Sequence, residues 1–457
     1  MKRLSTILLL ASLAILAVGC SRETKYPVTE VSHPEWAESG VIYEVNVRQY
    51  TPEGTFAAFS KHLDRLSDLG VKILWLMPIN PIGEYGRKGS LGSYYSVRDY
   101  YAVNPEFGNM NDFKALVDSC HVRGFKVVMD WVANHTSRDC AWTAEHPKWY
   151  KRSGDTLAVA YDWTDVALLD YANDSVRDAM IDAMSYWVKE GGIDGFRCDF
   201  ASGPSVSFWN KCTKVLRSIK PDIFLLAEAE QPDLQEKAFD AYYSWQLMNC
   251  TYDLAAGKIT ADSLANFFLD YENNTGMPLN TIPMHFTTNH DQNSWHGTDR
   301  ELYGDALKQF AVLSFVLPGM PMIYSGEEVS MDRRLRFFEK DTIDWSNDVD
   351  SMTVFYSNLI SERNEHKCLW AMPDGGKMYV ITNDRPKKVF SMERELEGDI
   401  CLALFNFSDS EVTCTLGEHA ATADSLFDLP AYGYRLIFSA GDPNAGVQRE
   451  KPGLEVQ

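Results

Sequence analysis

The chain has 457 residues, of which 45% are hydrophobic and 12% aromatic. This content excludes a disordered chain, because disorder requires few apolar and aromatic side chains. Asp and Glu outnumber Lys and Arg by 64 to 43, which gives a formal net charge of −21. That balance argues against nucleic acid and against a basic patch for anionic lipid, since both need clustered cationic side chains.

Residues 1–19 have the pattern of an export signal. Lys2 and Arg3 precede the apolar run ILLLASLAILAVG, which ends at Cys20 and is too short to span a bilayer. The segment LAVGC resembles a bacterial lipobox, in which Cys20 is acylated. The alternative is an ordinary cleaved signal with an incidental cysteine. We predict a lipoprotein signal peptide, a polar tether over residues 20–39, and attachment to a bacterial membrane at its periplasmic face or at the cell surface.

From Gly40 onward, strand-like apolar runs alternate with amphipathic helical patterns. Near-continuous apolar content is typical of strands buried on both faces. Eight strands alternating with eight helices predict a parallel (β/α)8 barrel, of the TIM type, over residues 40–370. The alternative, a doubly wound open sheet, lacks its Gly-rich phosphate-binding turn after the first strand. The predicted strands are 41–47, 71–77, 125–132, 193–200, 223–229, 247–252, 282–289 and 320–326, and helices include 175–190, 205–219, 233–245, 260–271, 304–317 and 351–365.

Two insertions and a C-terminal segment interrupt this alternation. The loop 80–110 follows strand two, and the stretch 135–172 follows strand three and is too long for a simple connection, so we interpret it as a short inserted B-domain. Both follow strands and therefore lie at the carboxyl face of the barrel. Residues 371–440 alternate apolar with polar side chains between turns, which predicts an antiparallel β-domain. Residues 441–457 are predicted to form a tail.

Polar and charged side chains occur where four of the predicted strands end. In such a barrel, catalytic residues come from the carboxyl ends of several strands. Each side chain alone has a structural explanation, but Asp, Glu and Asp converging on one rim repel each other, and stability gives no reason to gather them. The residues are Asp130, Asn134 and His135 after strand three, Arg197 and Asp199 after strand four, Glu228 and Glu230 after strand five, and His290 and Asp291 after strand seven.

Paired carboxylates of this kind suit the cleavage of a glycosidic bond. One must stay protonated to donate to the leaving oxygen, and the other must be ionised to attack the anomeric carbon. Arg197 lies two residues before Asp199, on the same face of the strand, so its charge favours an ionised Asp199 as nucleophile. Glu228 then remains as the acid, with Glu230 a second candidate that lies beyond the strand end. Asp291 and the histidines are placed to hold sugar hydroxyls.

At these residues the sequence resembles a known family. The segments DWVANH, GFRCDFA, LLAEAE and FTTNHD are similar, in order and spacing, to the four signature regions of the α-amylase family, the family 13 glycoside hydrolases. GSYYSVRDYYAVNPEFGNMNDF, DWTDVALLDYAN, GMPMIYSGEE and LPAYGYRLI support the resemblance, which covers roughly residues 40–440. It implies a barrel with a B-domain after strand three and a retaining mechanism.

The resemblance also implies roles for individual residues. Asp199 matches the nucleophile, Glu228 the acid/base and Asp291 the transition-state stabiliser. The matching sugar-binding residues are Tyr95, which stacks on the sugar at the cleavage site, and His135, Arg197 and His290; Asp130 matches a mainly architectural position.

Calcium is the metal that the resemblance raises. Asn134 matches one family calcium position, but Ala201 and Ser202 stand where many calcium-binding members carry Lys-His. We therefore expect that no cofactor is required, with Asn134 as the remaining candidate metal ligand.

The predicted function is a retaining hydrolase that cleaves α-glucosidic bonds in starch-like glucans or malto-oligosaccharides. A transglycosylase of the same family has the same three carboxylates and differs only in the acceptor that intercepts the glycosyl-enzyme. A non-catalytic glycan-binding surface protein is the third hypothesis. Such members lose one or more of the carboxylates, whereas this sequence has all three.

Overall fold

A computed structural model describes residues 26–346, 351–419 and 421–440. The predicted signal peptide 1–19, the lipidation site Cys20 and the tail 441–457 lie outside these residues. Eight parallel strands form a closed barrel in which each strand pairs with its neighbours along the chain and the first pairs with the last. They are β1 Ile42–Val45, β2 Ile73–Leu76, β3 Lys126–Val132, β4 Gly195–Asp199, β5 Phe224–Ala227, β6 Ala241–Tyr243, β7 Ile282–His285 and β8 Met320–Tyr324.

The barrel strands are buried on both faces, as the near-continuous apolar runs predict. One face packs inside the barrel and the other packs against the surrounding helices, and both form continuous clusters of buried side chains. The register places Asp130 beside Arg197 and Val132 beside Asp199 where β3 pairs with β4. Gly195 is required at the start of β4, because a Cβ there would lie 2.4 Å from the Phe224 carbonyl oxygen of β5.

Helices connect consecutive strands around the barrel. Five of those named below begin with a side-chain cap, such as Asn109, whose side chain accepts from the Asn111 and Asp112 N–H groups. The main helices are Phe56–Phe59, Leu63–Leu69, Met110–Val122, Asp174–Tyr186, Val206–Ile219, Pro232–Gln235, Trp245–Ala255, Ala261–Leu269, Tyr271–Thr275, Asp299–Tyr303, Leu307–Val316 and Ser351–Glu365.

The prediction for the sixth strand is wrong. Residues 247–252 lie in the helix Trp245–Ala255, and the strand is Ala241–Tyr243, which falls within the predicted helix 233–245. Only Pro232–Gln235 of that helix exists. The buried carboxylate of Asp240 explains the change of direction, because it accepts from the Leu225 N–H of β5 and from Arg217 and so holds the start of β6 against β5.

The two insertions lie over the carboxyl ends of the strands. Within 135–172, His135–Ser137 pairs antiparallel with Val166–Leu168, and Arg152–Ser153 pairs with Thr156–Leu157. The loop 80–110 is irregular except for a bridge between Ile82 and Val97.

The described part of the predicted tether is packed against the barrel, so the tether prediction is wrong for residues 26–39. Val28 forms a bridge with Leu279, Val31 is buried, and residues Glu35–Ser39 form a helix. His33 Nδ1 lies 3.1 Å from Asp240 Oδ1 at the amino end of β6. The apolar and histidine side chains of this segment, which interrupt its polar composition, supply these contacts.

The C-terminal residues form the predicted antiparallel β-domain. The strands are β9 Lys377–Val380, β10 Val389–Leu396, β11 Asp399–Asn406, β12 Val412–Thr415, β13 Leu426–Leu429 and β14 Tyr434–Ala440. The larger sheet has the order β9, β10, β11, β14, and β12 pairs with β13.

Among the residues that the structure describes, no helix is long and apolar enough to cross a membrane.

Candidate active site

The three candidate catalytic carboxylates line one cleft of about 480 Å³ at the carboxyl end of the barrel. Asp199 is the last residue of β4, and Glu228 directly follows β5. Asp291 lies in the turn after β7, where the Asn289 side chain accepts from the Asp291 N–H at 3.0 Å and fixes that turn. Asp291 is the most open of the three, with 37% of its side chain exposed against 13% for Asp199 and 17% for Glu228.

The guanidinium of Arg197 lies at the centre of the site and is fully buried. Its Nη1 is 3.0 Å from Asp130 Oδ1 and 3.2 Å from Asp199 Oδ1, and its Nη2 is 3.1 Å from Glu228 Oε1. Nε donates to the Tyr243 hydroxyl at 3.2 Å. Burial alone lowers the pKa of Arg197, but the carboxylates of Asp130 and Glu228 raise it well above its usual value. One permanent cation therefore faces three carboxyl groups.

The charge balance corrects our expectation that Arg197 keeps Asp199 ionised. Burial and the neighbouring Glu228 carboxylate raise the pKa of Asp199 well above its usual value, and Arg197 offsets this only in part. The reason is that the same guanidinium is shared with Asp130 and Glu228.

Asp130 supports the site from inside the barrel. Its Oδ2 accepts hydrogen bonds from the Tyr95 hydroxyl at 3.0 Å and from the Trp75 indole at 3.2 Å. Burial raises its pKa to about 6, although Arg197 and His290 act in the opposite direction. Asp130 thereby fixes both the cation and the aromatic ring of Tyr95, in keeping with the architectural position that the resemblance implies.

His290 carries a positive charge near neutral pH. Burial alone lowers its pKa, but the carboxylates of Asp291 and Glu44 raise it to about 9. Nδ1 contacts Glu44, while Nε2 lies 2.9 Å from the Tyr95 hydroxyl and 3.4 Å from Asp291 Oδ2. The imidazole and the Tyr95 ring are nearly parallel, with centroids 5.6 Å apart. His290 therefore orients Asp291 and the Tyr95 ring together.

His135 lines the same cleft but is engaged with the protein through both ring nitrogens. Its Nε2–H donates to the Tyr95 carbonyl oxygen at 3.1 Å, and Nδ1 accepts from Asn134 Nδ2 at 3.1 Å. Burial lowers its pKa to about 4, so the ring is neutral. In this structure His135 positions the backbone beneath Tyr95.

The residues around Asn134 do not fit a calcium ion. The Asn134 amide oxygen lies against Gly203, where a Cβ would be only 2.1 Å away. Asp139 accepts from the Glu84 N–H, and Asp165 lies 3.5 Å from Lys88 Nζ. Across the described ranges, no three His, Cys, Asp or Glu side chains are grouped as metal ligands. Because Ca²⁺ takes about six to eight oxygen ligands, we assign no step to a metal.

Three residues of the site were missed by the sequence argument. Glu44 of β1, Trp75 of β2 and Tyr243 of β6 contact His290, Asp130 and Arg197 respectively. Glu44 could have been found, since it is a carboxylate within an otherwise apolar strand. Trp75 and Tyr243 carry no such signal, because aromatic residues are common in buried strands.

Glu230, the second acid candidate, is not among the residues that line the cleft. Its Oε2 accepts from the Gln246 N–H at 2.9 Å, at the start of the helix Trp245–Ala255. Burial raises its pKa to about 7. Glu230 thus supports a helix terminus.

Two groups of aromatic rings form the walls of the cleft. On one side Phe337 stacks near Tyr95, with centroids 6.2 Å apart, and contacts Trp295. On the other side Trp163 from the insertion lies 5.7 Å from Phe200, which directly follows Asp199. A cleft with aromatic walls and buried carboxylates can bind the flat apolar faces of sugar rings while its polar groups bind their hydroxyls.

Comparison with known proteins agrees with this geometry. The model of the α-amylase catalytic domain matches residues 39–163 and 149–397. The chain belongs to the α-amylase family. Membership confirms the predicted family, its barrel fold with the C-terminal β-domain, and the class of glycoside hydrolases.

Individual relatives share about a quarter of their residues with this α-amylase family member. The α-amylase MalA of Haloarcula japonica is 29% identical over 432 residues, which cover 91% of this chain and 61% of the relative. A cyclomaltodextrinase from a Bacillus species is 27% identical, over 86% of this chain and 77% of the relative. The crystal structure of a maltogenic α-amylase from Thermotoga neapolitana superposes with a TM-score of 0.78 at 28% identity, covering 88% of this chain and 97% of that one. The chain thus spans less than two thirds of the length of the Haloarcula japonica amylase.

Proposed function

We propose that this enzyme cleaves α-glucosidic bonds in starch-like glucans or malto-oligosaccharides with retention of configuration. The relatives named α-amylase, cyclomaltodextrinase and maltogenic amylase support the substrate class. The observation that carries the mechanism is the contact of Asp199 and Glu228 with two nitrogens of one guanidinium, at 3.2 and 3.1 Å. Two carboxyl groups that share one cation can act as nucleophile and as proton donor, the two roles that a double displacement requires.

In this proposal, Glu228 is the proton donor to the glycosidic oxygen that lies beside it. Transfer of that proton to the leaving oxygen accompanies attack of the Asp199 carboxylate on the anomeric carbon, which forms a glycosyl ester. Water then attacks the anomeric carbon of this ester while Glu228 accepts its proton, and the bond between that carbon and the Asp199 oxygen breaks to release the carboxylate. The fixed charge of Arg197 compensates the carboxylate that is ionised at each stage.

The remaining residues of the site bind the sugar and stabilise charge. Asp291 is exposed to the cleft and faces the positive charge that develops on the sugar ring in the transition state. The Tyr95 ring, which Asp130 and His290 hold through its hydroxyl, supplies the flat surface for that sugar.

Product analysis tests the proposal directly. The purified protein is incubated with starch, pullulan, cyclodextrin and maltose, and the anomeric configuration of the first products is followed by NMR. We expect shorter α-configured malto-oligosaccharides, and none with Asp199→Asn. Products longer than the substrate would indicate transglycosylation, β-configured first products would contradict retention, and absence of turnover on every glucan would contradict the function.

We also propose, from the N-terminal sequence, that Cys20 is acylated and attaches the exported enzyme to a membrane. Two acyl signals or more are needed for stable anchoring, at about 0.8 kcal/mol per buried CH₂. Residues 26–39 contact the amino ends of the strands at Asp240 and Leu279, opposite the cleft. Attachment there leaves the cleft pointing away from the lipid. Cys20→Ser should move the protein from the membrane fraction to the soluble fraction, and a soluble wild type would contradict the proposal.

A further inference from the structure

Phe200, between the candidate nucleophile and the turn that follows it, has an unfavourable backbone conformation. Its φ is +41°, in the left-handed region. Residues with a Cβ avoid this region because the Cβ approaches the carbonyl oxygen, and bulky side chains avoid it more than most. Such conformations persist where surrounding contacts enforce them, and they concentrate at functional sites.

The left-handed turn directs the Phe200 N–H at the candidate acid. This N–H donates to Glu228 Oε2 at 2.7 Å, while Glu228 Oε1 lies 3.1 Å from Arg197 Nη2. The carboxyl group is therefore held at both oxygens, by a backbone donor on one side and a cation on the other. Its rotation is fixed relative to the cleft only as long as both contacts are present.

The Phe200 ring explains how the strained backbone is maintained. The ring packs edge-to-face against Trp163 at 5.7 Å and Tyr161 at 6.0 Å, both from the inserted segment. On its other side lies Gly203, where a Cβ would be 3.0 Å from the Phe200 ring. These contacts connect the insertion 135–172 to the backbone donor of Glu228.

We propose that Phe200 is a positioning residue, whose left-handed backbone and aromatic packing hold the Glu228 carboxyl in the orientation required for proton donation. The inference rests on the proposed role of Glu228. It adds that the inserted segment contributes to proton transfer through the Phe200 ring, without touching the reacting atoms. Sequence comparison of strand ends does not reveal this role, because it depends on a backbone N–H.

Substitutions that remove the ring but differ in their tolerance of positive φ test the proposal. Phe200→Gly, Phe200→Asn and Phe200→Ala all delete the ring, and left-handed conformations are easiest for Gly, intermediate for Asn and hardest for Ala. Turnover is measured on a malto-oligosaccharide, whose leaving oxygen needs a proton, and the first-turnover rate of fluoride release is measured on α-maltosyl fluoride, whose leaving group needs little assistance. We expect kcat on the oligosaccharide to fall in the order Gly, Asn, Ala, with Gly and Ala differing on the order of tenfold. On the fluoride, the three variants should have similar first-turnover rates.

Two controls keep the result interpretable. Glu228→Gln should lose oligosaccharide turnover and retain the first-turnover release of fluoride, which precedes the step in which Glu228 acts as base. If the variant retains oligosaccharide turnover, the proposed role of Glu228 is wrong. Thermal unfolding of each variant shows whether it is folded, and the Gly and Ala pair suffices if the Asn variant is not. Equal oligosaccharide kcat for Gly and Ala overturns the positioning role. Parallel losses on both substrates also overturn it, because they indicate a purely structural role.

Discussion

The two ends of the barrel both bury arginine side chains completely, but they surround them with opposite chemistry. At the carboxyl end, Arg197 faces carboxylates, which raise its pKa well above the usual value. At the amino end, the described hydrogen bonds of Arg363 and Arg394 all go to backbone carbonyl oxygens. Burial there lowers the pKa of Arg363 to about 9 and that of Arg394 to about 10.

The carboxylates around Arg197 suit the carboxyl end to catalysis, whereas the arginines of the amino end hold parts of the fold together. Arg363 donates to Glu38 and Gly319 at 3.0 and 2.8 Å, and Arg394 of β10 donates to Val316 at 2.9 Å. These bonds join the barrel to the N-terminal helix and the β-domain. Around Arg197, by contrast, carboxyl groups crowd together although their mutual repulsion disfavours ionisation. We therefore expect substitutions at the two ends to affect different quantities.

The largest expected effect is at the carboxyl end. Asp199→Asn removes the nucleophile but keeps nearly the same shape, so turnover should fall by several orders of magnitude. Because the substitution also removes a like charge from the cluster, the free energy of unfolding should rise, by roughly 1 kcal/mol. Turnover on malto-oligosaccharides and urea unfolding measure the two quantities. Asp178→Asn, an exposed aspartate paired with Lys211, is the matched control and should change neither.

Two outcomes would contradict this prediction. Retention of more than a few per cent of turnover would point to a different nucleophile. A fall in stability comparable to that of core substitutions would show that the Asp199 carboxylate contributes to folding and that the contrast between the two ends is wrong.

At the amino end, the expected effect is on stability. Arg363→Met removes the donor for several buried carbonyl oxygens, so the free energy of unfolding should fall by about 4 kcal/mol. The kcat of the folded fraction should remain close to wild type, because Arg363 lies far from the cleft along the strands. The exposed Arg385→Met is the control, and a change within about 0.5 kcal/mol is expected for it. A large loss of kcat in folded Arg363→Met enzyme would link the two ends.

The charge of His290, at the carboxyl end, should make the free energy of unfolding depend on pH. Its folded pKa is about 9, above the ordinary value of 6.5. The stabilisation from the charged ring is therefore fully present below about pH 6.5 and is lost as pH rises to about 9, an effect on the order of 3 kcal/mol. Urea unfolding at several pH values should show this slope in wild type and a flatter one in His290→Gln. The exposed His146→Gln should keep the wild-type slope, and an unchanged slope in His290→Gln would refute a charged imidazole.

The barrel could be predicted from sequence wherever the buried strands are long enough to be distinctive. The sixth strand could not, because Ala241–Tyr243 has only three residues and a longer apolar segment follows it. In that segment the buried residues Leu247, Met248, Thr251 and Leu254 follow a helical spacing, and this spacing distinguishes the segment from a strand.

The part of the candidate site that could be predicted is the set of residues at the carboxyl ends of neighbouring parallel strands, because those ends lie close together. Arg197, Asp199 and Glu228 come together because β4 and β5 are paired and parallel. The shared guanidinium, and with it the raised pKa of Asp199, could not be predicted, because it depends on side-chain distances between strands. The contact of the Phe200 N–H with Glu228 could not be predicted either, because residue type does not determine the backbone angle φ.

The smallest expected effect concerns metal removal. Chelation should leave the thermal unfolding midpoint within about 2 °C of the untreated value and leave turnover unchanged, because no three His, Cys, Asp or Glu side chains of the described residues are grouped as ligands and Ca²⁺ needs about six to eight oxygen atoms. Lys88, 3.5 Å from Asp165, and Arg98, 3.8 Å from Asp139, already place cations beside the acidic residues of the insertion. Differential scanning calorimetry with and without a chelator, each with added calcium as control, measures the effect. A drop of many degrees that calcium restores would show that a metal joins the insertion to the barrel, and the carboxyl end would then depend on an ion as well as on Arg197.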